Sequence, residues 1–339
     1  MLPGHRVVAN EKHRKEIAEI WNVPPENIKP APGKHTVAMF EALITREIKG
    51  IMILCTSPAQ SLPNLNKYLK GMEEAFMVVL ESFHPTETSK IADVVLPASF
   101  WGEKEGVYGC TERRSQHMAK ALQPLGEARW DAFIIADIAK RMGYVKNFEH
   151  FTSAEAIWNE YLKCTKGTDM DLSGATYARL KKVRGLRWPV PSEDHPGTTH
   201  RFTEGDPYFP KDKAAGKRMY FYNKPDGRAV IFARPDKGPE EPTTQEYPIA
   251  LTTGRLLEHW HTMSMTGQIP ELVRAAPRPH VEINPEDAKS LGVITRDKVK
   301  VITKRGSLVM EAKVIDRTRK GTVMIPWHWP ESLTNILTI

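Results

Sequence analysis

The 339-residue chain has only three cysteines, Cys55, Cys110 and Cys164, far apart and without CxxC spacing. That pattern argues against a zinc site, an iron–sulfur site or a disulfide framework built from these residues. No run of about 18 apolar residues occurs, so no membrane span is expected. The opening stretch, MLPGHRVVANEKHRKEI, lacks an apolar core segment and does not read as a secretory signal. GxGxxG is also absent, which removes the fingerprint of a plain NAD dehydrogenase. There is no internal repeat and no low-complexity tract.

What is present is ordinary for a soluble globular protein: 40% hydrophobic and 26% charged residues, in a length suited to about two domains. The net charge of +7 raises nucleic acid as a partner. The basic residues, however, are scattered among acids, with no basic stripe interleaved with aromatics, so no nucleic-acid partner is expected. A polyanionic dinucleotide or an acidic partner subunit accounts for the charge equally well.

Along the chain, Glu11 to Trp21 has helical spacing, and Pro24, Pro25, Pro30 and Pro32 forbid its continuation. His35 to Arg46 is a second amphipathic helix. Ile51 to Cys55 is a continuous apolar run, suited to a parallel strand buried on both faces. The same grammar repeats: helix Asn64 to Met72, strand Phe76 to Glu81, short helix Glu87 to Lys90, strand Val94 to Leu96, and helix Arg129 to Met142. Alternation of this kind predicts an α/β, Rossmann-like parallel sheet. Residues 150 to 245 are less regular, with one helix from Ala154 to Cys164 and a linker from Pro235 to Pro242. From Tyr247 the pattern changes to short strands: His280 to Asn284, then a helix Pro285 to Leu291 with proline at its start. Lys298 to Thr303 and Ser307 to Val314 flank a hairpin turn, and Thr322 to Ile325 is a last strand. Several short strands with one small helix predict a compact β-barrel. The expected divisions are 1–165, a connecting segment 166–245, and 246–339.

One stretch organises the rest: Leu251 to Thr266, LTTGRLLEHWHTMSMT. A strand over 247–251 should break at Thr252-Thr253-Gly254-Arg255, where glycine permits a close backbone approach and arginine presents a planar fork of donors for phosphate or carboxylate. His259, Trp260, His261 and Thr262 follow, dense in hydrogen-bonding groups. Strand alternation would put His259 and His261 on one face, but two histidines without a nearby cysteine or paired carboxylate make a poor metal site.

This stretch resembles the cofactor-binding segment of the molybdopterin oxidoreductases with a bis(molybdopterin guanine dinucleotide) centre. It is most similar to the periplasmic-type nitrate reductases, with formate dehydrogenases second. A second stretch agrees: Ala92-Asp-Val-Val-Leu-Pro-Ala98, then WGEKEGVYG over 101–109 and Glu112-Arg-Arg114. The resemblance implies that Thr253, Gly254, Arg255, Leu256, Leu257, Glu258, His259, Trp260, His261 and Thr262 contact one pterin guanine dinucleotide. It assigns Lys104 to a diphosphate or pterin carbonyl, which a point charge suits. Asp131 is assigned to guanine N–H groups, which an acceptor-only carboxylate can receive. Ser57, Glu81, Ser82 and Asn335 fall at further cofactor-contact positions, although the acid at 81–82 is displaced by one residue from the family's usual place. Trp327 matches an aromatic facing the substrate funnel. Met263 departs from a position where close relatives carry glycine. No residue here is expected to be a catalytic nucleophile or base, nor a metal ligand.

The resemblance covers nearly the whole chain but only the C-terminal part of the family's catalytic subunit. It implies a Rossmann-like domain followed by a double-psi β-barrel cut short at its end. It also implies that the iron–sulfur cysteines and the molybdenum ligand belong to an N-terminal half not represented here. The chain then reads as a split subunit or fragment of a nitrate reductase-type enzyme, inactive alone. Its partners would be that N-terminal half, an electron-donor subunit and a small anion substrate. A formate dehydrogenase alpha-subunit fragment and a non-catalytic cofactor-binding module are the alternatives. The family's twin-arginine export signal is absent; the location is periplasmic if the chain behaves as a periplasmic nitrate reductase and cytoplasmic otherwise.

Overall fold

A computed structural model describes residues 1–212, 219–222 and 224–339. The described residues form two compact units, each discontinuous in sequence: Met1–Gly33 with Ala98–Arg234, and Lys34–Pro97 with Pro235–Ile339. Sequence order divides the chain where its patterns change, whereas contacts group distant segments. Residues 213–218 and 223, within the expected connecting segment, lie outside the described residues.

In the unit made of Lys34–Pro97 and Pro235–Ile339, strands Gly50–Leu54, Phe76–Glu81 and Val94–Pro97 form a parallel sheet in that spatial order. Helices Thr36–Ile44 and Leu65–Glu73 bury Phe40, Leu43, Leu65, Tyr68 and Met72 against Ile53, Met77 and Val79. The central strand is the most enclosed, with Met77 and Val79 fully buried. Ile51 to Leu54 is not buried on both faces as its apolar run suggests, since Met52 is 39% exposed. The reason is position: it is an edge strand of a three-stranded sheet.

The same unit holds a five-stranded mixed sheet that curls into a half-barrel. Its order is Ala250–Gly254, Thr322–Pro326, His280–Ile283, Gly306–Val314, Lys298–Thr303. The first two strands are parallel, as are His280–Ile283 and Gly306–Val314; the other pairs are antiparallel. Val281, Ile283, Met310, Ala312, Val323 and Ile325 fill its core. Helix Pro285–Leu291 starts at Asn284, whose side chain accepts the Glu286 N–H at 2.9 Å, and ends at Gly292 with φ of 67°, a left-handed position that glycine occupies without a steric cost.

The other unit contains helices Glu11–Trp21, Asp131–Arg141, Ala154–Thr165 and Tyr177–Lys182. It also has a small antiparallel sheet, Gly106–Gly109, Arg114–Met118 and Leu186–Arg187. Its core gathers Trp158, Leu162, Leu172, Tyr177, Leu180, Leu186 and Val190. No helix among the described residues is long and apolar enough to cross a membrane.

Candidate functional site

The strand expected over 247–251 lies further on, at Ala250–Gly254. Thr252, Thr253 and Gly254 therefore belong to the strand and do not break it. The partner strand explains the shift: Thr253 pairs with Ile325 and Gly254 with Pro326 in a parallel ladder, and the Trp327 N–H then donates to the Gly254 carbonyl at 3.3 Å. Two parallel strands thus end together and deliver Arg255 and Trp327 side by side. The Arg255 guanidinium lies 5.4 Å from the Trp327 ring centroid and 5.7 Å from that of Trp260, within the range of cation–π attraction. Among the described residues its guanidinium makes no hydrogen bond or ion pair.

The loop after Arg255 turns on two residues with left-handed backbones, His261 with φ of 40° and Met263 with φ of 60°. Local bonds hold the turn: Met263 N–H to the Trp260 carbonyl at 3.0 Å, and Trp260 N–H to the Thr266 hydroxyl at 3.2 Å. His259 and His261 do not share a face, because this segment is a turn and not a strand. His259 is buried, its Nε2 donating to the Ala276 carbonyl at 2.8 Å and its Nδ1 lying 3.3 Å from the Thr266 hydroxyl. His261 is exposed and stacks its edge near Trp260 and Trp327, with centroids 4.5 and 5.6 Å away. Partial burial, and next the neighbouring Arg255 charge, push the His261 imidazole below its usual range. Leu257 is fully exposed, while Glu258 and Thr262 are half-buried.

Beneath the loop sits His328, which sequence reasoning did not single out. Its ring is fully buried, accepts the Leu256 N–H at Nε2 (2.9 Å) and contacts the His261 carbonyl through Nδ1 (2.6 Å). Its own carbonyl accepts from Gln60 Nε2 at 2.8 Å. The available signal was the Pro326-Trp-His-Trp329 cluster directly after a strand.

Beside the loop opens a cleft of about 1210 Å³, bordered by Arg255, Arg278, Arg296, Lys313 and Arg317 against Glu258 and Glu311. Glu282, almost wholly buried, is paired with Arg317 and with Lys313 at 3.5 Å. These contacts, strongest from Arg317, hold its carboxyl below the usual range despite burial. The cleft rim keeps an excess of cations.

Ser57 and Ser82 follow the carboxyl ends of adjacent parallel strands. Ser57 Oγ is 3.1 Å from Thr88 Oγ1. Glu81 accepts the N–H groups of Ser82 and Phe83 at 3.1 and 3.4 Å, so its carboxylate fastens its own turn. Burial raises its pKa. Asn335 Nδ2 donates to the carbonyls of Gln60 and Ser61 at 3.2 and 2.8 Å, closing the end of helix Pro58–Ser61.

In the other unit the structure brings two expected residues into contact, since Lys104 Nζ bonds the Asp131 carboxylate. Local folding explains how residues 27 positions apart meet. Glu103 accepts the Phe100 N–H at 2.9 Å in a 3-10 turn, and Trp130 Nε1 donates to the Glu103 carbonyl at 3.2 Å. Trp130 directly precedes helix Asp131–Arg141, so the helix start is drawn to the residue after Glu103. The pair borders a pocket of about 620 Å³ lined by Trp130, Trp158, Tyr161 and Trp188.

Two protein families match the chain: "Molybdopterin oxidoreductase" over residues 5–141 and "Molydopterin dinucleotide binding domain" over residues 249–339. The chain is similar to a nitrate reductase of Symbiobacterium thermophilum, 48% identical over all of this chain and 45% of that protein. It is 46% identical to a periplasmic nitrate reductase of Desulfovibrio desulfuricans, over 99% of this chain and 45% of the relative. An assimilatory nitrate reductase catalytic subunit of Bacillus subtilis is 35% identical over 98% of the chain and 44% of that protein. The chain therefore spans a little under half the length of these relatives. Among solved structures, acetylene hydratase from Pelobacter acetylenicus shares the fold, with a TM-score of 0.63 at 20% identity, covering 96% of this chain and 44% of that one.

Proposed function

We propose, from the premise that the chain belongs to the molybdopterin oxidoreductases, that its Gly254–Thr262 loop holds one arm of a molybdopterin guanine dinucleotide within a nitrate reductase-type catalytic subunit. The observation that carries this reading is Arg255: a cation presented between two indoles, with its hydrogen-bonding fork uncommitted among the described residues. The donor set fits the group. A planar cation, the exposed polar loop beside it and a cation-rich cleft suit a ligand with a diphosphate and pterin amides. The bound group would supply the molybdenum-centred electron and oxygen-atom transfer.

The chain's own residues bind and orient. Arg255 donates to a diphosphate or pterin oxygen while Trp260 and Trp327 hold its plane. His261, whose imidazole is held below its usual range by burial and then by Arg255, offers one donor and one acceptor without adding charge near pH 7. Trp327 faces the substrate funnel. In the other unit, Asp131 receives guanine N–H groups and Lys104 neutralises a phosphate or pterin oxygen, so their mutual bond is exchanged for bonds to ligand. Ser57, Glu81, Ser82 and Asn335 frame the carboxyl edge of the parallel sheet, where open α/β sheets bind ligands.

The mixed parallel and antiparallel pairing of the half-barrel supports a double-psi barrel as its finer class, and the alternating segment before it supports a Rossmann-like one. Residues 1–165, 166–245 and 246–339 serve as the functional divisions. The rest of the relatives' length supplies the molybdenum ligand and the iron–sulfur relay, and an electron-donor subunit feeds it. The test is reassembly with a polypeptide matching that remaining length. The complex should reduce nitrate, and the 339 residues alone should not. A dinucleotide-loaded complex without nitrate reduction overturns the substrate, and turnover by the lone chain overturns the division of labour.

A further inference from the structure

We infer that His328 is the positioning residue of the dinucleotide loop, a single neutral imidazole that clamps both ends of the Arg255–His261 arc. The inference rests on the reading of that loop as a cofactor holder and adds the residue that gives it shape. Leu256 follows Arg255 directly, and its N–H points into the protein at His328 Nε2, 2.9 Å away. An N–H can only donate, so Nε2 must be the acceptor and the ring proton must sit on Nδ1. That proton meets the His261 carbonyl at 2.6 Å. One tautomer therefore satisfies both contacts, and no other protonation state does.

The clamp is itself anchored. His328 is fully buried, and its carbonyl accepts from Gln60, which is 4% exposed and sits on the short helix after the first parallel strand. Gln60 in turn offers its backbone carbonyl to Asn335. The loop that carries Arg255, Trp260 and His261 is thus tied through one side chain to the carboxyl edge of the parallel sheet in the same unit. Without it, the strand ladder would still set Arg255 beside Trp327, but the arc from Leu256 to the left-handed turn at His261 would keep only its local bonds.

Protonation would place a second N–H opposite the Leu256 N–H and break the clamp. The titratable and charged groups facing His328 are Arg255, His259 and His261 from the loop; helix Pro58–Ser61 contributes the uncharged Gln60. All three loop groups oppose a second positive charge, and burial opposes it most, while the His261 carbonyl alone favours it. The ring's pKa in the folded chain is accordingly below the usual 6.5. The clamp's stability is complete above pH 6.5 and is lost as acid takes the pH down through the lowered value.

The test compares the full chain with His328→Gln and His328→Ala. Glutamine carries one acceptor and one donor on a single amide and does not titrate. The first readout is amide hydrogen exchange across residues 255–261 in the ligand-free chain. Leu256 should be protected in the natural protein and in H328Q, and should exchange on the order of tenfold faster in H328A, the loss of about one hydrogen bond. The second is retention of added molybdopterin guanine dinucleotide, read from pterin fluorescence of the washed protein between pH 5 and 8. Retention should fall in acid for the natural chain and fall less for H328Q, in which His261 still titrates but residue 328 does not; for H328A it should be low throughout. Unchanged Leu256 exchange in H328A, or an acid profile in H328Q identical to that of the natural chain, overturns the role of His328. Equal retention by all three proteins overturns that role while leaving the loop as a cofactor holder. No retention by any of them overturns the loop's function and the inference resting on it, whereas the exchange data still report whether the clamp exists.

Discussion

The Arg255 loop and the Lys104–Asp131 pair were expected to touch the same kind of ligand, and the chain builds them in opposite ways. Arg255 stands on a loop whose backbone is fixed from beneath by His328, and among the described residues its guanidinium meets only ring faces. Lys104 and Asp131 stand on segments joined by the Trp130–Glu103 bond, and they neutralise each other. In the first region the scaffold already fixes the charge in place, so binding of the proposed dinucleotide would reorganise little. In the second, the two charges are in mutual contact, and binding of the proposed dinucleotide would have to separate them. On the proposed reading a loop of the first kind would supply affinity and a pair of the second kind discrimination, because only a ligand with both an anionic oxygen and N–H donors replaces both halves of the bond.

The largest effect should come from removing the loop's support. His328→Ala leaves the Leu256 N–H and the His261 carbonyl without their partner, at about 1–1.5 kcal/mol for each part-buried bond. Denaturant unfolding should show a loss of that order, and a loss under about 0.5 kcal/mol would mean that water replaces the imidazole. Asn335→Ala should cost less, about 1–2 kcal/mol for its bonds to Gln60 and Ser61. If dinucleotide binding falls by much more than stability does, Asn335 touches the ligand directly. The smallest effect belongs to the ligand-free Lys104–Asp131 pair, whose side chains are 26% and 21% exposed. A double-mutant cycle on unfolding should give a coupling below about 1 kcal/mol. A coupling of several kcal/mol would make the pair a structural bond and remove it from the ligand's contacts.

Both regions bear on what could be read from residues alone. The helix Glu11–Trp21, the strand Phe76–Glu81, the short helices Glu87–Lys90 and Pro285–Leu291, and the strand Lys298–Thr303 fall where periodicity, caps and prolines put them. The sheet of Gly106–Gly109, Arg114–Met118 and Leu186–Arg187 was not legible. Its strands are two to five residues long and carry Gly, Arg, Gln and His where an alternating apolar pattern would announce a strand. The strand Ala250–Gly254 lies three residues beyond its expected place, because Thr252 to Gly254 looks like a break in isolation. Only pairing with Thr322–Pro326 makes it continuous. The interleaving of Lys34–Pro97 with Pro235–Ile339 is likewise a product of long-range packing, invisible to a pass along the chain. As for the site, motif spacing reached Arg255 and Lys104. It did not reach His328 or Gln60, whose importance lies in backbone groups they satisfy far away in sequence.

Arg255 is the residue on which cofactor holding by this loop depends most. Equilibrium binding of molybdopterin guanine dinucleotide to the full chain and to Arg255→Ala tests it most directly. A charge-assisted hydrogen bond is worth roughly 1.5–3 kcal/mol, so the substitution should weaken binding about tenfold to a hundredfold while leaving the unfolding midpoint nearly unchanged, since Arg255 is exposed and its guanidinium makes no hydrogen bond or ion pair among the described residues. Binding by the variant equal to that of the natural chain would contradict the claim that this loop holds the cofactor.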